Sequence, residues 1–404
     1  VAAVASRSVT TDADSNANRM VAFAFTCLVA AVERENQDSA AAQFSSRVLA
    51  SMLQLNMQTQ GRKCRPAFAR CLVSCCAVLL ESKSDQAPSI AVATKLMPLV
   101  ATRLVELSET DESVAETVCA ELTRWNRSCL SAVASRSLKD SASIKSIGGC
   151  IEAVGKMMHH RFRHNWETCL PVVSGAVVAV AKRHDGEGSK NEGNIAETKS
   201  VIGSTVKGLV QLRSDVNDEA SRRTVESSVA MIIEGVGIET FLGIVSLDKC
   251  DETELPIQQS SGAMHLERAW LLSVLKSASA SGSIHSCPNL AFFQGTILSL
   301  ARKCDAASAS PSLTAAEAAV QKARVLELWD LLPSFCSDPC DIELTFPTLS
   351  KTLIKAMTDQ RYPELVSIIP SSLRLLASGV RERKWEQSNA RAERDYEIVE
   401  ASSV

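Results

Sequence analysis

Amphipathic stripes that return in pairs, about every 50 residues, constrain this chain more than any other feature of it. Apolar residues recur at helical spacing in Met20, Phe23, Cys27, Leu28 and Ala31, then in Phe44, Val48, Leu49, Met52 and Leu55, with Gly61 ending the pair. Phe68, Cys71, Leu72, Cys75 and Leu79 open the next, and a helix capped by Ser89 and expected to kink at Pro98 completes it. Val114, Val118, Leu122, Trp125 and Cys129 are followed by Ile144, Ile147, Ile151, Val154 and Met158. Asn165 caps a helix carrying Trp166, Cys169, Leu170, Val173, Val177 and Val180, and further stripes run through Ile202–Val210 and Val225–Ile232. Each stripe is one apolar face, and a lone hairpin leaves such faces exposed, so the hairpins must stack on one another. The expected fold is all-α, a solenoid of HEAT- or armadillo-like helical hairpins, with a unit close to the roughly 40–47 residues of such repeats.

Composition agrees with that expectation. Hydrophobic residues make up 46% of the chain but aromatics only 4%, which suits closely packed small-residue helices better than β-sandwiches. Most of the 14 cysteines, such as Cys71, Cys75, Cys76 and Cys119, fall on apolar faces and no CxxC occurs, so they read as reduced thiols packing as small hydrophobes in a cytosolic or nuclear compartment. The sequon at Asn126 is then a chance match. The longest nearly apolar run, Cys169–Ala181, falls short of the roughly 20 residues a membrane span needs, and no secretory signal is present. A net charge of −3 gives no global field for nucleic acid, so any RNA contact must come from local patches. The chain begins at Val1 rather than Met, as a fragment or a processed chain does.

Four segments follow: an N-terminal loop over 1–18, helical repeats over 19–234, further repeats over 235–379 and a charged tail over 380–404. A polar linker, residues 183–194, interrupts the second. In the third, Val325, Leu328, Trp329 and Leu332 form one stripe that Pro333 is expected to stop. Asp338 and Pro339 signal the next helix start, with Asp341 adding negative charge to its first turn. Its stripe is Phe346, Leu349, Leu353, Ile354 and Met357, and Pro347 either kinks it or restarts it with Thr345 as a new cap. The last apolar helix starts at Pro363 and ends near Gly379.

Chemistry has few footholds. His160 and His164 stand at i, i+4, the spacing of a zinc pair, but no Glu lies between them and no third or fourth ligand is in view. No phosphate-binding loop, no GxSxG elbow and no paired carboxylates in an evident pocket occur, so neither an enzyme, a cofactor nor a small-molecule substrate is expected. Two basic clusters are candidate contacts for RNA or a partner: Arg62, Lys63, Arg65 and Arg70 around a helix start, and Arg161 and Arg163 alternating with His160, Phe162 and His164. Ordinary solvated faces are the competing reading of both.

The wording of the later segment adds a resemblance. LWDLLPSFCSDPCDIELTF, with AWLLSVLK upstream, YPELVSIIPSSLRLLASG downstream, LAFFQGTILSLARKC at Leu290–Cys304 and the Gly235-Val236-Gly237 turn, resembles the ribosomal RNA-processing protein 12 family from about Gly235 to about Gly379. The resemblance implies a nuclear and nucleolar helical-repeat scaffold that shuttles to the cytoplasm. It would bind precursors of the small ribosomal subunit, through precursor rRNA and assembly proteins, and assist their maturation and export with the nuclear transport machinery. The competing class is a transport receptor of the importin-β kind, another helical-repeat spiral, which composition does not separate from it.

Overall fold

The computed structural model describes residues 16–34, 39–55, 64–81, 87–109, 112–137, 141–181, 192–247, 266, 268–280, 289–337 and 339–381, and every regular element among them is helical. The chain divides into two compact units, Val1–Gly235 and Val236–Val404. Residues 1–15 of the expected loop, 183–191 of the expected linker and 382–404 of the expected tail lie outside the described residues, whereas 16–18 and 192–194 already belong to helices.

The first unit runs α1 (Asn16–Arg34), α2 (Ser39–Leu53), α3 (Arg65–Glu81), α4 (Ala87–Ser108), α5 (Glu112–Trp125), a π turn (Asn126–Leu130), α6 (Ser131–Ser137), α7 (Ser141–Gly155), two 3-10 turns (Lys156–Met158 and His160–Asn165), α8 (Trp166–Ala181), α9 (Glu192–Asp215) and α10 (Glu219–Val236). Successive helices alternate between two rows. α1, α3, α5 and α8 pack in sequence along one row, and α2, α4, α7 and α9 along the other. Hydrogen bonds between repeats measure the unit directly. Arg124 Nη2 donates to Ser74 Oγ (2.6 Å, 50 residues apart), Asn126 Nδ2 to the Val172 carbonyl (3.0 Å, 46 apart) and Ser174 Oγ to the Ser228 carbonyl (2.8 Å, 54 apart). In the other row Arg103 Nη2 reaches the Leu53 carbonyl, 50 residues back, and Ser146 Oγ the Thr94 carbonyl, 52 back. These bonds satisfy polar groups inside the stack, where an unpaired one would cost about 1–3 kcal/mol. Asn126 of the sequon is among them and is 2% exposed, so in the folded chain it is no glycan acceptor.

The stripe expected on α1 is rotated. Val21, Phe25 and Val29 are buried, while Met20 is 64% and Phe23 70% exposed and Cys27 is exposed too. The helix carries apolar residues on two overlapping faces, and the aromatic partner decides between them: Phe25 meets Phe68 of α3 edge-on at 5.2 Å. α4 runs on through Pro98; the proline ring lies where a Cβ on Gly149 of α7 would stand 3.2 Å away, so the glycine makes room for it. At the end of the unit the two glycines of the Gly-Val-Gly turn have different reasons. A Cβ on Gly235 would come within 2.4 Å of the Val178 side chain, and Gly237 has φ of 81°, a left-handed value that L side chains avoid.

The second unit contains α11 (Ile238–Leu242), α12 (Trp270–Ala280), α13 (Leu290–Phe292), a π turn (Phe293–Ile297), α14 (Leu298–Ser308), α15 (Ala315–Trp329), α16 (Leu332–Cys336), α17 (Ile342–Met357) and α18 over residues 365–381. Thr314 and Glu317 close α15 with a capping box, Glu317 N–H donating to Thr314 Oγ1 and Thr314 N–H to Glu317 Oε2. Val325, Leu328, Trp329 and Leu332 are all buried, as their spacing predicts.

Pro333, however, does not stop α15. That helix has already ended at Trp329, and Pro333 sits in the first turn of the short helix α16, where a missing N–H costs nothing. The LPSFC tract is therefore a helix in its own right, and it carries aromatic packing: Phe335 lies 5.3 Å from Phe293 and 6.3 Å from Phe292, and Trp329 meets Phe293 edge-on at 6.1 Å. α17 starts at Ile342 rather than at Pro339, and Asp338 lies outside the described residues. Pro347 stays within α17, and Thr345 makes no new cap: its hydroxyl donates to Asp341 Oδ2 at 2.7 Å. Ile354, expected in the stripe, is 65% exposed.

Candidate interaction surface

The histidine and arginine run enters the structure in an unexpected form. Residues His160–Asn165 make a 3-10 turn, with three residues per turn, so the i, i+4 geometry of a zinc pair on an α-helix does not arise. His159 Nδ1 accepts from the Arg161 N–H at 3.3 Å and caps the turn, and the three imidazoles are exposed. No group of three or more His, Cys, Asp or Glu among the described residues is placed to hold a metal ion.

The same turn directs Phe162 into the core and Arg161 and Arg163 outward, one to each side. Arg161 pairs with Glu109, just beyond the end of α4, at 3.1 Å, and its guanidinium lies 5.0 Å over the Phe162 ring. Arg163 pairs with Asp218 at 2.6 Å. Asp218 also accepts the Ser221 N–H at 2.7 Å, and with the Ser221 side chain and Arg163 this holds its carboxyl at a pKa of about 2. Both arginines thus tie neighbouring repeats together while remaining partly exposed. Of the other cluster, Arg62 and Lys63 lie outside the described residues, Arg65 is half-buried in the first turn of α3 and Arg70 is exposed one turn on.

A different set of cations is aligned by the repeat itself. Arg47 on α2, Lys95 on α4 and Lys145 on α7 stand 48 and 50 residues apart and are exposed. Each is flanked two positions away by buried residues: Ser45 and Leu49, Ala93 and Met97, Ser143 and Ile147. At 100° per residue such flanking points the cation away from the core. Helices in contact lie about 8–10 Å apart, so successive repeats present a row of positive charge at that interval. None of the three makes an ion pair among the described residues. Sequence reasoning missed them because no two are near each other in the chain; the signal was their recurrence at the repeat period.

Comparison with known proteins adds the family. The model of Ribosomal RNA-processing protein 12, HEAT repeats, matches residues 108–403, almost three-quarters of the chain. The chain belongs to this family. Among curated proteins, an RRP12-like protein of Drosophila melanogaster is 29% identical over 126 residues, 31% of this chain and 8% of its own length. An RRP12-like protein of Homo sapiens is 26% identical over 154 residues, 38% of this chain and 11% of its own. The matched parts span about a tenth of those relatives, and no solved structure matches the chain. The family match takes in Lys145, Arg161 and Arg163. It begins well before Gly235, where the resemblance read from wording alone began.

Proposed function

We propose that the chain is a non-enzymatic scaffold segment of small ribosomal subunit biogenesis, which binds precursor ribosomal RNA and assembly factors in the nucleus and nucleolus and assists maturation and export. The observation that carries this reading is the row Arg47, Lys95 and Lys145, three outward cations in repeat register, of which Lys145 lies in the stretch that matches the family and Arg47 and Lys95 precede it. Evenly spaced point charges suit a phosphate backbone, whose binding releases counterions and weakens with salt. Arg65, Arg70, Arg161 and Arg163 supply further positive surface, the last two shared with carboxylates.

Two measurements test it together. The full-length protein should sediment with precursor-rRNA particles from gently lysed cells and leave them on nuclease treatment. In vitro, the triple substitution Arg47→Glu, Lys95→Glu, Lys145→Glu should weaken binding to single-stranded precursor rRNA and lower the slope of log K against log salt by about 2, at roughly 0.7 per lost phosphate contact. Sedimentation only as a free protein, together with tight binding to a GTP-loaded transport GTPase, would move the assignment to the importin-β class. An unchanged salt slope would remove this row from the RNA surface.

A further inference from the structure

The second unit holds a groove that neither the rRNA-processing role nor the cation row accounts for. It lies among α14, α15, α17 and the start of α18 and encloses about 510 Å³, within the roughly 300–1,000 Å³ of sites that take a small ligand or a few side chains. Its floor is apolar: Leu298, Val325, Trp329 and Leu365 are each less than a tenth exposed. Ala301, Thr352 and Ala356, small residues on facing helices, leave the space open.

One wall is an ion-paired cluster of one guanidinium and two carboxylates. Arg361 bridges Asp305, with contacts of 3.0 and 3.2 Å, and Asp359 at 2.7 Å, while the Tyr362 hydroxyl donates to Asp305 at 2.6 Å. Both carboxylates are engaged by Arg361, and exposed Arg302 on α14 with Lys351 and Lys355 on α17 outnumber the cluster's one uncompensated negative charge, so the opening is net positive. Lys351 and Lys355 are one helical turn apart and share a face. Arg302 and Lys351 make no ion pair among the described residues.

We propose that this groove is a docking site for an acidic peptide segment of a partner protein, one large apolar or aromatic side chain seated on the Trp329–Leu365 floor and flanking carboxylates held by Arg302, Lys351 and Lys355. Charge complementarity selects the flanks and the apolar floor selects the anchor, the usual division between a buried hot spot and a polar rim. RNA fits this site less well. Single-stranded RNA is taken by stacking bases on exposed aromatic faces, and here Trp329 is 7% and Tyr362 5% exposed, the latter with its hydroxyl committed. The inference does not rest on the cation row, so either can fail without the other.

The test is fluorescence anisotropy on the whole chain with a fluorescein-labelled peptide of glutamates around a central phenylalanine and leucine. Saturable binding is expected, weakened at least tenfold by Lys351→Glu with Lys355→Glu and retained with Lys351→Arg and Lys355→Arg, all at exposed positions that the fold tolerates. Ala356→Leu, checked for unchanged helical circular dichroism, should weaken binding by filling the groove while leaving the charges in place. Equal binding of a peptide with alanine in place of both apolar residues, or no effect of the charge reversals, overturns the proposal. So does an oligouridylate that binds more tightly than the peptide and is lost on the same substitutions, which would assign the groove to nucleic acid.

Discussion

Asp341 precedes α17 yet serves another helix. Its side chain accepts the N–H groups of Leu290 and Ala291, each at 2.8 Å, and so covers donors that the first turn of α13 leaves open 50 residues upstream. Burial alone would raise its pKa, but the bonds from Thr345, Leu290 and Ala291 outweigh burial and the net value lies below the ordinary carboxylate range. A depressed folded-state pKa contributes stability above the unfolded value, near 3.9, and loses it as the pH falls through the folded one. Asp341→Ala should therefore cost about 1–2 kcal/mol at neutral pH, the upper part of the capping range, and progressively less below about pH 4. Urea midpoints of the two proteins at pH 7 and pH 3 check this; a gap that stays constant with pH would show that the carboxylate charge is not what holds α13. The sequence showed Asp341 only as a first-turn charge, because a partner 50 residues away is invisible to local reading.

At the scale of elements, the LPSFC helix and the helix before it meet in an aromatic cluster of Phe292, Phe293, Trp329 and Phe335. With aromatics at 4% of the chain, such a cluster concentrates burial that Ala, Val and Leu supply elsewhere. Trp329→Ala should lower stability by about 3–5 kcal/mol, the usual range for emptying a large aromatic site. Urea unfolding followed by far-ultraviolet circular dichroism reads it, and an unchanged unfolding curve would contradict the packing. Periodicity revealed that Val325, Leu328, Trp329 and Leu332 are buried, and it misled where two principles compete. On α1 two apolar faces overlap and only the distant Phe68 chooses between them. Around His160 the 3.6-residue period gives way to three. At Pro333 the same ring that ends a helix also suits a helix start.

Over the whole molecule, the offset of about 50 residues organises both packing and surface. It was legible in the sequence as a recurrence of stripes, and the bonds between repeats give it as 46–57. The candidate surface was less legible. Local density drew attention to Arg161 and Arg163, which neighbouring repeats pair with Glu109 and Asp218, and passed over Arg47, Lys95 and Lys145, which only the register brings into line. Nearest-neighbour coupling also predicts how damage spreads. In hydrogen exchange, Trp329→Ala should speed amides in α14 to α17 and leave those of α3 to α5 as they were; uniform loss of protection would indicate a single cooperative block instead.

The constant reach of the cross-links bears on biosynthesis. Each Arg124–Ser74 or Arg361–Asp305 type of bond closes with a partner made 46–57 residues earlier, so no such rung waits for the far end of the chain. At about 5–20 residues per second a ribosome supplies that length in roughly 2–11 s, and each hairpin can dock on its predecessor soon after it clears the exit tunnel. Within each unit the helices can thus be assembled in the order they are translated, with only the newest hairpin's apolar face left open to chaperones or to aggregation.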